Sequence, residues 1–126
     1  MNSNNVISLQ ADAAITGHTL VRLTTSGTVE AAGAASTAVI GTALQDTLDG
    51  SQCDIAVAGA FPVHYVVASG VIGVGAAVKS DAGGKIQNHA GTGTAIGNAL
   101  EASTADGEII RVLLSNIVTE DAAAAS

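Results

Sequence analysis

Ile40-Gly41-Thr42-Ala43-Leu44 returns as Ile96-Gly97-Asn98-Ala99-Leu100, and that return decides how the whole chain is read. The match continues on both sides. Asp49-Gly50 returns as Asp106-Gly107, and Val21-Arg22 with Gly27 returns as Val78-Lys79 with Gly84. Ile55 and Val57 line up with Val112 and Leu114. The offset is 56 or 57 residues, with one gap on each side of the Ile-Gly block. Alternating apolar segments between Gly and Asp-Gly turns are strand-and-turn signals, and their duplication describes a β scaffold written twice. The expected fold is mainly β: a compact β-barrel or β-sandwich from two imperfectly repeated halves, with a flexible N-terminal arm.

Working outward, strands are expected at 19–24, from Val29, and at 38–45, 52–59, 61–67, 76–79, 85–87, 95–101 and 108–116. Ser26-Gly27, Asp49-Gly50 and Gly83-Gly84 supply turns between them. The Ala-rich stretch 31–38 holds Gly33 and is too short for a stable helix, so it reads as loop. Residues 1–16 read as an arm with apolar contacts at Val6, Ile7 and Leu9. A single β domain is expected over 17–118, with pseudo-repeats at about 17–59 and 73–115, and a tail at 119–126.

Composition sets the limits. A chain of 126 residues is one domain by size. Its core must come from Ala, Val, Ile and Leu, because there is one Phe, one Tyr, one Met and no Trp. Aromatic side chains bury the most area per residue, so this core is thin. Fifteen glycines raise the entropy that folding must overcome. A lone monomer would be marginal, and assembly with other subunits is the natural remedy.

The formal charge of −7 comes from eleven acids against four scattered bases, Arg22, Lys79, Lys85 and Arg111. Nucleic-acid binding needs clustered Lys and Arg and is not expected. Cys53 is the only cysteine, so no internal disulfide forms, and its place in an apolar strand points to inert burial. Met1 to Asn5 is polar and lacks the basic start of a secretory leader. The 24 residues from Ile55 to Val78 carry no formal charge, a length that could span a bilayer. Pro62, His64 and four glycines argue against a membrane helix, and two strands around Ser69-Gly70 fit better.

The segment 61–67 holds the chain's Phe, Pro and Tyr. Strand alternation places Phe61, Val63, Tyr65 and Val67 on one face, and Pro62, His64 and Val66 on the other. Pro62 favours an edge position or a strand start. Phe61 and Tyr65 read first as anchors of the domain's own core. The alternative is a face that meets a partner subunit, where aromatics are enriched.

Catalytic patterns are absent. His18, His64 and His89 lie far apart and never at metal-ligand spacing with Cys53, so hydrogen-bonded or solvent-facing roles are expected and no metal. Asp46, Asp49 and Asp54 lack the alternation of a calcium loop. Gly73-Val74-Gly75 lacks a third glycine at dinucleotide spacing, and Lys79-Ser80 follows Val78 where a phosphate loop needs glycine. No Gly-x-Ser-x-Gly elbow occurs. Neither catalytic residues nor a cofactor is expected.

The pattern resembles the small capsid cement, or head decoration, proteins of tailed bacteriophages. The residues that carry the likeness are Ile40-Gly41-Thr42-Ala43, then Gly50, Ile55 and Val57, then Gly59-Ala60-Phe61-Pro62-Val63. Gly75-Ala76-Ala77-Val78 follows, and Ile96-Gly97-Asn98-Ala99 with Gly107 and the apolar run from Ile109 to Leu113 closes it. The likeness covers about residues 17–115 and departs from the family where Lys79, not an aromatic, follows Val78. It implies a structural virion protein, often a homotrimer, that binds the major capsid protein on the outside of an icosahedral head and reinforces it. Before assembly such a chain stays in the host cytoplasm, with no nucleic-acid or membrane partner. The arm would order on the capsid, and Val6, Ile7, Leu9, Phe61 and Tyr65 are the candidate capsid or subunit contacts. A different class, a carbohydrate- or receptor-binding β module of a fibre or surface protein, is the alternative. Its sugar site would need more exposed aromatics than Phe61 and Tyr65 supply. An enzyme would need His64, Asp54 or Cys53 to converge unexpectedly.

Overall fold

The repeat in the sequence is a repeat in the fold. The computed structural model describes residues 6–33, 39–57, 63–89 and 95–114. The first half contributes β1 (Val6–Gln10), β2 (Leu20–Leu23), β3 (Val29–Ala31), β4 (Val39–Ala43) and β5 (Gln52–Val57). The second contributes β6 (Val63–Val67), β7 (Ala77–Ser80), β8 (Ile86–Asn88), β9 (Gly97–Ala99) and β10 (Ile109–Leu114), with a 3-10 turn at Ala82–Gly84. Each half forms one antiparallel five-stranded sheet, in the orders β1-β5-β4-β2-β3 and β6-β10-β9-β7-β8. The two orders are the same order, shifted by five strands.

Register repeats as well. Ser8 lies opposite Asp54 in the first sheet, and Tyr65 lies opposite Arg111 in the second. A parallel bridge ties Ala11 to Val29, and its counterpart ties Ala68 to Ile86. These bridges draw the ends of each sheet together without closing a barrel, so of the two expected architectures the sandwich is the compatible one. The nine strands expected from periodicity are present. The tenth, β1, is the stretch read as part of an arm: Val6–Gln10 pairs along β5 as an edge strand. Its partner lies some 45 residues away in sequence, so no local turn announces the pairing.

The glycines of the Ile-Gly blocks follow from this packing. A Cβ on Gly41 would stand 2.1 Å from the Ala56 carbonyl oxygen, and one on Gly97 would stand 2.0 Å from that of Leu113. Neither distance is tolerable for carbon and oxygen, so both strands need glycine where they approach the neighbouring backbone.

One core is internal to the first half: Ala11, Ile15, Val21, Val29, Ala43, Cys53 and Ile55, with Leu9 packed against it. The other belongs to the second half, around Val66, Ile72, Val78, Ile86, Ile110 and Val112, and Leu20, Ala32 and Val39 of the first half insert into it. Hydrogen bonds fasten the same junction. Val67 N–H donates to the His18 carbonyl at 2.8 Å, Gly84 N–H to that of Ala32 at 2.8 Å, and Ser80 Oγ to that of Gly33 at 2.7 Å. No helix among the described residues is long and apolar enough to cross a membrane.

Candidate contact surface

β6 is an edge strand and carries the alternation that its sequence requires. His64 and Val66 are buried, while Val63 and Tyr65 face outward, Tyr65 being 55% exposed. Tyr65 is therefore no core anchor, and the first reading of that residue is corrected. The cause is strand parity: with His64 and Val66 turned inward, Tyr65 projects outward. Phe61 and Pro62 lie outside the described residues.

Beside Tyr65, Arg111 on β10 leans toward Glu101, Nε to Oε1 at 3.6 Å, and Glu101 also accepts the Arg111 backbone N–H at 2.9 Å. Ile109 extends the same face. The counterpart face of the first half is polar, with Ser8 Oγ donating to Asp54 Oδ1 at 2.6 Å. Among the candidates read from sequence, Ile7 is exposed, Val6 is half-buried, and Leu9 is half-buried against the first core. The structure brings Val6, Ile7 and Leu9 onto one strand and sets Tyr65 on the equivalent strand of the other half.

Where β6 meets the first half there is a pocket of about 180 Å³, lined by His18, Thr42, Leu44 and Ala56 on one side and Val63, His64 and Tyr65 on the other. Thr42 Oγ1 and His64 Nδ1 share a hydrogen bond inside it. Two of the three histidines thus converge, although 46 residues separate them in sequence. The walls are mostly apolar. No group of three or more His, Cys, Asp or Glu among the described residues could hold a metal ion. Cys53 is buried in the first core, and loss of hydration pushes its thiol pKa up, against a hydrogen bond from Thr47. That is an inert thiol.

Three of the four basic residues have carboxylate partners: Arg22 with Glu30, Lys85 with Asp106 at 3.0 Å, and Arg111 with Glu101. The fourth, Lys79, is buried. What the surface does offer is apolar. Leu48, Val71 and Val74 stand at least 70% exposed on loops. The bridges Ile15–Thr47 and Ile72–Ser103 place those loops at the same end of their respective halves. Sequence reasoning missed them; the available signal was a large aliphatic residue inside a turn rich in Gly or Asp.

Comparison with known proteins gives a family and a fold. A family model described as phage cement protein matches residues 1–114. No curated protein matches the chain. Among solved structures, the chain is similar to the N base of the head fibre protein gp8.5 of bacteriophage phi29, with a TM-score of 0.74 and 18% identity. That match covers 91% of this chain and 97% of the other.

Proposed function

We propose a cementing role from one premise: the chain belongs to the phage cement protein family. The family gives a structural, capsid-associated role in the virion. The finer reading is that this chain, as a homotrimer, binds the major capsid protein on the outer surface of an icosahedral head and stabilises the shell. Before assembly it resides in the host cytoplasm. The observation that carries this is the family match across 114 of 126 residues. The physics is compatible with it. Cementing needs shallow apolar contacts multiplied by symmetry, so that weak sites gain avidity. Tyr65, Ile7, Leu48, Val71 and Val74 are exposed apolar side chains carried on a β scaffold. An acidic exterior suits a protein that must ignore packaged nucleic acid.

The deciding experiment mixes the purified protein with expanded capsids and follows co-sedimentation and capsid heat resistance. Binding at a copy number fixed by the shell's symmetry, with a higher disruption temperature, is the expected result. A protein left in the supernatant at saturating concentration overturns the reading. The fold's likeness to a head fibre base favours one other class, a carbohydrate- or receptor-binding module of a fibre. Glycan binding without capsid association would select it.

A further inference from the structure

The contact between the two halves is a template that the chain uses once. In it, β6 of the second half seats on the surface of the first half formed by Thr42, Leu44 and Ala56, and His64 becomes 3% exposed. By the repeat, β1 is the counterpart of β6, and Ile7 stands where His64 stands. The counterparts of Thr42, Leu44 and Ala56 are Asn98, Leu100 and Leu113. Nothing among the described residues covers them as β6 covers the first half: Asn98 is exposed, Leu100 is 39% exposed and Leu113 is half-buried. Ile7 itself is 37% exposed. A second place tells the same story. Ser80 is fully buried at the junction, while its counterpart Leu23 is 45% exposed. Among the described residues, the first half thus carries an inserting face with no receiver, and the second half a receiving face with no insert.

We propose that a second copy of this chain supplies both. The β1 edge of one copy seats on the Asn98–Leu100–Leu113 surface of the next, head to tail, repeating between molecules the contact made within each. The backbone is prepared for it. Ala11 N–H donates to the Ser51 carbonyl, so strand alternation points the Gln10 N–H away from β5, as the Val67 N–H points away from β10. Val67 N–H reaches the His18 carbonyl, and the counterpart of that acceptor is the Gly75 carbonyl. Gly75 O accepts Asn98 Nδ2 at 3.3 Å and has a second lone pair to offer. Ile7 stands for His64 and Asn98 for Thr42, so apolar contact of Ile7 with Leu100, the counterpart of Leu44, takes the place of the Thr42–His64 hydrogen bond. The Ser8–Asp54 pair of one copy comes toward the strand that carries the Arg111–Glu101 pair in the next. A head-to-tail contact of this kind is heterologous and closes into a ring when its rotation allows. Three copies would make a ring of six alternating halves.

This deepens the homotrimer part of the proposed function and rests on it, but not on capsid binding. The test is solution mass by sedimentation equilibrium on the full chain, without capsids, for wild type, Ile7→Lys, Leu100→Lys and Leu48→Lys. Wild type and Leu48→Lys should be multimers, and the first two variants monomers with unchanged circular dichroism. A second arm needs no charge at the contact: Ile7→Cys with Asn98→Cys in a Cys53→Ser background should oxidise to a ladder of linked chains. A wild type that stays monomeric at high micromolar concentration overturns the proposal and the trimer together, while capsid cementing stands or falls by its own assay. Multimers that survive both lysine substitutions and give no cross-linked ladder overturn this contact and leave the trimer in place.

Discussion

Thr42 on β4 and His64 on β6 share a side-chain hydrogen bond across the junction of the two halves, with both residues buried. Thr42→Val keeps the shape and removes the hydroxyl. The buried imidazole then loses that partner, which should cost about 1–3 kcal/mol in urea unfolding. A double-mutant cycle with His64→Leu should return a coupling energy above about 0.5 kcal/mol. Strict additivity would mean that the bond does not join the halves energetically.

Gly41 and Gly97 predict a paired effect. Either substitution to Ala drives a Cβ into the facing carbonyl, at 2.1 Å from Ala56 O and 2.0 Å from Leu113 O. Each should destabilise by at least about 1–3 kcal/mol, the usual range for forcing an atom into a packed place. Gly73→Ala meets nothing within 4 Å and serves as the control, expected within about 1 kcal/mol of wild type. Thermal melts of the three variants decide the matter. A single transition shifted as a whole by either substitution would also show that both halves melt as one unit.

The strands were legible because a half-buried strand alternates with period two, and the turns because Gly27, Gly50, Gly83 and Gly107 sit at positive φ. The duplication was legible because both copies need glycine at the same close approach. β1 was not, because five residues starting at Val6 gain strand character only from β5, far along the chain. Alternation told which residues share a face with Tyr65 but not which face is outside; that is set by which side of β6 packs with Val66, Ile110 and Val112 in the second core. The convergence of His18 and His64 follows from the docking of two halves, a long-range event with no local sequence signature.

Cys53 should report on global stability. Burial raises its thiol pKa, and the adjacent Asp54 charge adds to the rise, so the reactive thiolate is scarce in the folded state. Alkylation at pH 8 should be slow for the native protein and fast in denaturant. Its native rate should fall in proportion in a stabilised variant. Rapid labelling under native conditions would mean that the first core opens independently of the rest.

Glu108 gives a sign-definite pH effect. Its carboxylate accepts the Thr104 backbone N–H at 2.9 Å and the Thr104 hydroxyl at 2.8 Å, and those bonds hold its pKa below the ordinary glutamate value. A depressed carboxyl stabilises the fold above its unfolded pKa of about 4.3 and loses that contribution as pH falls through the lower folded value. The melting temperature should therefore drop between pH 5 and pH 3 by more in wild type than in Glu108→Gln. An NMR titration should place the Glu108 midpoint below that of a free glutamate. A midpoint at or above it would refute the loop geometry.

His18 and Gly75 occupy the same place in the two halves, and both backbones are left-handed, with φ of 63° and 82°. Each residue's N–H donates to the last residue of a central strand, His18 to Ala43 and Gly75 to Ala99, both at 2.8 Å. The turn is thus required twice but satisfied by different residues. At Gly75 the conformation is free; a side chain there should cost about 1–2 kcal/mol, so Gly75→Ala is expected to melt earlier. At His18 the strain is already present, and His18→Gly relieves it while loosening the unfolded chain, two terms of similar size. Its stability should stay within about 1 kcal/mol of wild type, with the Val67-to-His18 backbone bond intact. A large loss in His18→Gly would instead assign the imidazole itself a stabilising contact in the pocket, since the backbone term cannot supply one.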